Sequence, residues 1–227
     1  MAVSIRTSYE VEQRSDEWHA LRLGTVTAST VGRLLTPTLR VADNDTSRAT
    51  LMTLAAERAT GWSDWTPTTT DMLRGVLDEP LARDLYASTV RAPVTTAGFI
   101  TYEDPGIRIG YSPDGLVGDD GIIEIKSRRP RTQMSTILAG TTPDDCMAQM
   151  QCGLLVTGRA WCDYVSYAGG MPLWVCRVYP EPRWHEAILA AAAAAEETIT
   201  TLVATYRDAV RGLPVAERVD HFAEIEV

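Results

Sequence analysis

The sequence predicts an α/β domain, a mixed β-sheet flanked by α-helices. Three observations carry that prediction. Apolar residues recur at helical spacing through the front of the chain. Residues 94–126 then switch to short β-prone runs broken by turn signals. A helix, two more strands and a long alanine-rich helix follow. The 227 residues, 45% apolar and 22% charged, suffice for a sizeable core and argue against a disordered chain. No linker or internal repeat stands out, so one domain is expected over residues 1–227.

Ser15-Asp16-Glu17-Trp18 opens the first helix, with serine as N-cap and acids in the first turn. Thr27-Ala28-Ser29 starts a second helix that runs to about Leu35. A polar loop over 36–46 leads to a helix over 47–61. Thr69 or Thr70 caps a longer helix to about Ser88, in which Leu73, Val76, Leu77, Leu81 and Leu85 lie at helical spacing. Strands are predicted over 94–102, 107–111, 115–117 and 122–126, separated by Asp-Pro-Gly, Ser-Pro-Asp-Gly and Gly-Asp-Asp-Gly turns. Thr142-Pro143-Asp144-Asp145 starts a helix with proline in its first turn, and Gly158 stops it. Strands near 160–167 and 173–179 precede a helix over 183–210, where the alanine run supplies helix propensity.

The charges sum to −9. That balance argues against a general nucleic-acid coat or a binder of anionic membranes, and leaves a groove with local basic residues open. No run of 18 apolar residues occurs and the N-terminus is too polar for a signal peptide, so a soluble, cytoplasmic protein is expected. Cys146, Cys152, Cys162 and Cys176 form no C-x-x-C pair and read as reduced, mostly buried thiols. The 21 basic residues are 20 arginines and one lysine, Lys126. A lysine supplies a compact ammonium that can share or lose a proton, whereas guanidinium stays planar and charged.

The chemistry concentrates in Gly110-Tyr111-Ser112-Pro113-Asp114-Gly115 and Gly121-Ile122-Ile123-Glu124-Ile125-Lys126. Asp114 falls at a turn between short strands. Glu124 and Lys126, two apart on the next strand, share a face, while Ile123 and Ile125 point into the core. A hairpin can bring both carboxylates to one Mg²⁺ or Mn²⁺, hard ions that favour oxygen ligands and retain water. The neighbouring ammonium can position a water or neutralise charge on a phosphate. The pattern alone also fits an ion pair on an exposed strand.

Further blocks extend it. Trp18-His19-Ala20-Leu21-Arg22-Leu23-Gly24-Thr25-Val26-Thr27-Ala28-Ser29 resembles the N-terminal block of the phage lambda exonuclease and YqaJ-type viral recombinase nuclease family. Gly75-Val76-Leu77-Asp78-Glu79-Pro80-Leu81-Ala82-Arg83 is similar to that family's acidic helix. Ser112-Pro113-Asp114-Gly115 with Glu124-Ile125-Lys126 resembles its core, and Met147-Ala148-Gln149-Met150-Gln151 its M-A-Q-x-Q helix. Together the blocks span residues 18–167, about two-thirds of the chain, in the family's order.

The resemblance implies a restriction-endonuclease-like fold of the PD-(D/E)XK superfamily. It implies a 5′-to-3′ exonuclease that acts at linear double-stranded DNA ends and leaves 3′ overhangs for strand annealing. By the same resemblance, Asp114, Glu124 and the carbonyl of Ile125 hold the metal, with two Mg²⁺ ions expected and Mn²⁺ as a substitute. Lys126 is the catalytic lysine and Glu79 an acid facing the metal. Arg22, Ser29, Ser112 and Gln149 hold the 5′-terminal phosphate, chemistry that suits an arginine fork and hydroxyls at a helix start. Arg128, Arg129 and Arg131 form a basic run that fits a DNA backbone. A homo-oligomeric ring, a single-strand annealing protein as partner and a phage or prophage origin in a bacterial cytoplasm are likewise implied. Trp18 reads as a core residue and Gln151 as structural. Two alternatives stand beside this one: a non-catalytic DNA-end-binding accessory, and a RecB- or Cas4-like nuclease, whose usual upstream cysteine has no counterpart before Cys146.

Overall fold

The computed structural model describes residues 4–64 and 67–219. Its strands form two mixed sheets. The first has the order β1 (Ser4–Ser8), β4 (Phe99–Asp104), β5 (Ile107–Tyr111), β2 (Val26–Thr27), with β2 parallel to β5 and the other pairs antiparallel. The second has the order β3 (Val94–Thr95), β6 (Gly115–Val117), β7 (Gly121–Ser127), β8 (Trp161–Tyr167), β9 (Trp174–Val178), with β7 parallel to β8. Flanking them are α1 (Asp16–Arg22), α2 (Ala28–Val31) running into a 3₁₀ turn (Gly32–Leu34), α3 (Asp45–Thr60), α4 (Thr70–Val90), α5 (Pro130–Ala139), α6 (Asp144–Thr157) and α7 (Pro182–Ala209). The predicted class holds, with the strands divided between two sheets.

Local signals explain most element ends. The Ser15 hydroxyl accepts the Trp18 N–H at 3.2 Å and starts α1. Asn44 and Ser47 form a capping box, so α3 begins at Asp45 and Ser47, read as its start, is its third residue. Thr69 caps α4, and Gly158 ends α6 at φ +67°. Pro143 is the N-cap of α6 rather than part of its first turn.

Three elements are absent from the sequence reading. β1 is a mostly polar strand and β2 has two residues, so neither shows an alternating pattern. α5 follows Pro130 at its first position and buries only Gln133 and Thr136, so no apolar periodicity announces it. The predicted strand over 94–102 is instead two strands, β3 and β4, in different sheets.

The main core lies between the first sheet, the Ile122 face of β7, and helices α2, α3, α6 and α7. In α7, Ala187, Ile188, Ala191, Ala192, Ala195, Ile199 and Val203 are buried, and small alanines let the helix lie close to α3 and α6. Among the described residues, α7 alone is long and apolar enough to cross a membrane; its apolar stripe is core. The four cysteines are free thiols, three of them buried.

A second core forms on the opposite face of β7, where Ala82 and Tyr86 of α4 cover Val117, Ile123, Ile125 and Val165. The apolar residues at helical spacing on α4 are not the face that packs on the sheet. Leu73, Leu77, Leu81 and Leu85 are 42–62% exposed, because the smaller Ala82 and the aromatic Tyr86 occupy the sheet side. Tyr86 also donates to Asp163 at 2.7 Å, and Arg177 completes that buried pair from 2.7 Å. The β7 strand is therefore enclosed on both faces.

Candidate active site

The Ser112-Pro113-Asp114 turn joins β5 to β6, and the β6–β7 hairpin pairs Gly115 with Ile123. That register places Asp114 just beyond the end of β6, beside Glu124 and Ile125. Gly115 admits no side chain, since a Cβ there would enter Val94 and Ile123. Asp114 Oδ2 accepts the Ile125 N–H at 2.6 Å. On the face of β7 turned to α6, Lys126 Nζ donates to Glu124 Oε1 at 2.7 Å and to Gln149 Oε1 at 3.0 Å. Glu124 is 1% exposed, and its second oxygen, Oε2, is buried with no hydrogen-bond partner.

The electrostatics follow from burial and crowding. The Asp114 carboxyl is held well above the usual carboxylate range, first by desolvation and then by Glu124 and Glu79, against the Ile125 N–H and Lys126. Burial works against the Lys126 ammonium, but Glu124 and Asp114 outweigh it and move its pKa up, so the lysine stays charged. The two carboxylates thus lie close enough for Glu124 to raise the cost of ionising Asp114, with one compact cation between strand and helix. A divalent ion would relieve their repulsion and satisfy Glu124 Oε2, whose isolation is otherwise costly. The donor set fits a hard cation held by Asp114 and Glu124. Ile125, expected to add its carbonyl, follows Glu124 on β7 and spends its amide on Asp114.

Glu79 sits on α4 near enough to Asp114 to raise its pKa. Both of its oxygens are engaged, by Arg14 at 2.7 Å and by Arg83. Arg83 also donates Nε to the Asp114 carbonyl at 2.6 Å. Among the described residues, no group of three or more Asp, Glu, His or Cys side chains is arranged for a metal ion. Asp114 and Glu124 are the two carboxylates that the turn and β7 bring together.

Above this turn, Arg22 and Ser112 come together. The Arg22 guanidinium stacks on the Trp18 ring at 4.1 Å and its Nη1 lies 3.4 Å from Ser112 Oγ. Among the described residues Arg22 has no carboxylate within ion-pair distance; burial lowers its pKa, partly offset by Glu57. Trp18, expected in the core, is half-buried and donates Nε1–H to Ser112 Oγ at 2.7 Å. Gln149 reaches the lysine rather than Arg22. Ser29 is exposed at the start of α2, with its hydroxyl 3.0 Å from Thr27 Oγ1 and no hydrogen bond to the other three.

The basic run divides three ways. Arg128 turns inward to the Tyr164 hydroxyl at 2.9 Å, Arg129 forms an exposed bidentate pair with Asp71, and Arg131 is exposed on the first turn of α5. Gln151 is buried and structural as expected, bonding the Tyr179 carbonyl and the Glu181 N–H. Sequence reasoning missed Trp18, Gln13, Arg14 and Arg83 as parts of the site. Trp18 and Arg83 lie inside the matching blocks, but Gln13 and Arg14 carry no motif.

The chain matches the YqaJ-like viral recombinase domain over residues 17–160. An alkaline exonuclease from Laribacter hongkongensis is 31% identical, with 88% of this chain and 100% of that one covered and a TM-score of 0.78. The structure of that enzyme in complex with dAMP matches equally well. A phage related exonuclease from Haemophilus somnus 129PT, 13% identical over 80% of this chain and 96% of that one at a TM-score of 0.60, shares the fold. No curated protein matches. The domain match spans the helix of Arg22, the Asp114 turn, the Glu124–Lys126 strand and the Gln149 helix, and by it this chain belongs to the YqaJ-like viral recombinase family.

Proposed function

We propose that this chain is a divalent-metal-dependent exonuclease acting on linear double-stranded DNA. It removes nucleotides from the 5′-phosphorylated strand and leaves 3′ single strands for recombination by annealing. One observation carries the reading: Asp114 and buried Glu124 lie together beside the chain's sole lysine, and Glu124 keeps a buried oxygen without a partner. The 31% identical alkaline exonuclease supports the same activity, and the dAMP complex of that enzyme supports a mononucleotide product.

In this reading Asp114 and Glu124 hold Mg²⁺ or Mn²⁺, with Ile125 as the backbone ligand and Glu79 beside a second ion. The metal, when bound, supplies an activated water and stabilises charge at the scissile phosphate. Lys126 holds that water or the phosphate oxygen through a compact ammonium, and Gln149 fixes the ammonium's direction. Arg22 and Ser112 receive the 5′-terminal phosphate, with Ser29 and Gln149 as the further members of the pocket. Arg22 is suited to it because, among the described residues, its charge has no carboxylate within ion-pair distance and its plane is set by Trp18. Arg131, with Arg128 and Arg129 behind it, offers positive charge to the duplex backbone. A homo-oligomer, a ring in the family it resembles, also belongs to the proposal. The leucine face of α4 is the apolar surface that a second copy would cover. The setting is a bacterial cytoplasm, with a single-strand annealing protein as partner.

The test uses linear duplexes labelled on each strand, with phosphate or hydroxyl at each 5′ end, digested with Mg²⁺ or with EDTA. Strand loss from 5′-phosphate ends in Mg²⁺ alone is the expected result. Loss from 3′ ends, or digestion in EDTA, rejects the reading. Light scattering of the purified chain tests the oligomer, and Leu77→Asp with Leu81→Asp should reduce its mass to that of the monomer.

A further inference from the structure

The Ser112–Asp114 turn is held from outside at every residue. Ser112 takes the Trp18 indole N–H and the Arg22 guanidinium. The Pro113 carbonyl accepts from Gln13 Nε2 at 2.9 Å, and the same amide reaches the Ala97 carbonyl at 3.0 Å. The Asp114 carbonyl accepts from Arg83, which is joined through Glu79 to Arg14. Gln13 and Arg14 are consecutive, and they precede Ser15, the cap of the helix that carries Trp18 and Arg22. One short segment therefore grips both the phosphate-pocket side and the carboxylate side of a three-residue turn.

Two further features show that this segment is held in place. Gly98 donates to the Ser8 carbonyl at 3.1 Å and accepts from Trp18, and any side chain on Gly98 would collide with the Val11 backbone. Arg14 has φ +75°, a left-handed conformation that costs a non-glycine residue energy. The ion pair to Glu79 is the contact that residue makes from this strained backbone. The strain is retained where a relaxed residue would swing the guanidinium elsewhere.

We propose that Gln13 and Arg14 are positioning residues. They clamp the Ser112–Asp114 turn so that the end-phosphate pocket and the Asp114 carboxylate keep a fixed separation, and with it the reach from the terminal phosphate to the scissile bond. The inference rests on the nuclease reading above. A fixed separation is what aligned phosphoryl chemistry requires, since small misplacements far from the reacting atoms lower rates about 100-fold. Partners one layer behind metal ligands typically change metal affinity or activity about 10- to 100-fold.

The test uses the full chain with Gln13→Met, which keeps length and loses both donors, and Arg14→Gly, which relaxes the backbone and removes the pair to Glu79. The first readout needs neither metal nor DNA: exchange of the Ile125 amide, which reports how firmly Asp114 is held. Each variant should exchange it at least about tenfold faster at an unchanged melting midpoint. Mn²⁺ affinity, by calorimetry, should weaken about 10-fold or more. On 5′-phosphorylated duplex kcat should fall about 10- to 100-fold with KM within about threefold, and longer products than mononucleotides should appear. Arg14→Lys should recover most of the loss. Ile125 exchange within about twofold of the unmutated protein in Arg14→Gly overturns the proposal, whether or not Gln13→Met folds. An unmutated protein that cuts no linear duplex would instead reject the nuclease reading, and Ile125 exchange would still decide the clamp.

Discussion

The ammonium of Lys126 lies 2.7 Å from one oxygen of Glu124, while the other oxygen of the same carboxylate is buried without a partner. One carboxylate thus pairs with the lysine through one oxygen and leaves the other for the proposed metal. The second contact of the lysine, to Gln149 at 3.0 Å, ties the strand to α6 and fixes which way the ammonium points.

Replacing that lysine tests whether a compact ammonium is required. Lys126→Arg keeps the charge but brings a planar, bulkier group in place of a compact ammonium. Cleavage of a linear duplex in Mg²⁺ should fall by at least about 100-fold, the scale of a lost electrostatic group. A rate within about threefold of the unmutated protein would assign the lysine to structure.

The metal assignment is tested on Asp114 and Glu124 together. Asp114→Asn or Glu124→Gln removes the negative charge with little change of shape. Each should abolish Mg²⁺-dependent digestion, and calorimetric Mn²⁺ binding should be lost while the folded state persists. Asp114→Asn also removes like-charge repulsion from a buried site, so its melting temperature without metal should match or exceed that of the unmutated protein. Digestion by either variant removes the site.

The end-phosphate pocket makes a prediction about Trp18. Trp18→Phe retains a ring beneath Arg22 but loses the N–H that holds Ser112, a hydrogen bond worth about 1 kcal/mol. The preference for 5′-phosphorylated over 5′-hydroxyl ends should shrink about five- to tenfold. Arg22→Ala should erase most of it and leave both substrates similarly slow. An unchanged phosphate-to-hydroxyl rate ratio in Arg22→Ala would move the pocket elsewhere.

Burial along α7 predicts a stability effect with no catalytic component. Ile199 is fully buried on that helix, so Ile199→Ala should destabilise the fold by about 2–5 kcal/mol. Urea unfolding should show the midpoint falling at constant slope. A loss under about 1 kcal/mol would mean that α7 contributes little to the main core.

The sequence by itself determined most of the element plan and the meeting of Asp114, Glu124 and Lys126. Caps such as Ser15 and Thr69, the stop at Gly158 and the turn residues around Asp114 act locally, so they are legible without knowing the fold. The same holds for Asp114, Glu124 and Lys126, because strand alternation and a single turn bring them together over a short stretch of chain. Only the tertiary structure decided which surfaces face inward and which distant residues meet. The leucines of α4 have helical spacing, yet Ala82 and Tyr86 take the sheet, since periodicity identifies a stripe and not the neighbour it meets. Trp18 reads as core from its composition, but α1 buries no residue completely, which leaves the indole free to bind Ser112. Gln13, Arg14 and Arg83 reach the Asp114 turn across 100, 65 and 31 positions of sequence, through backbone carbonyls and a shared glutamate. Backbone carbonyls have no residue identity, so contacts to them leave no pattern in the sequence and exist only once the chain has folded.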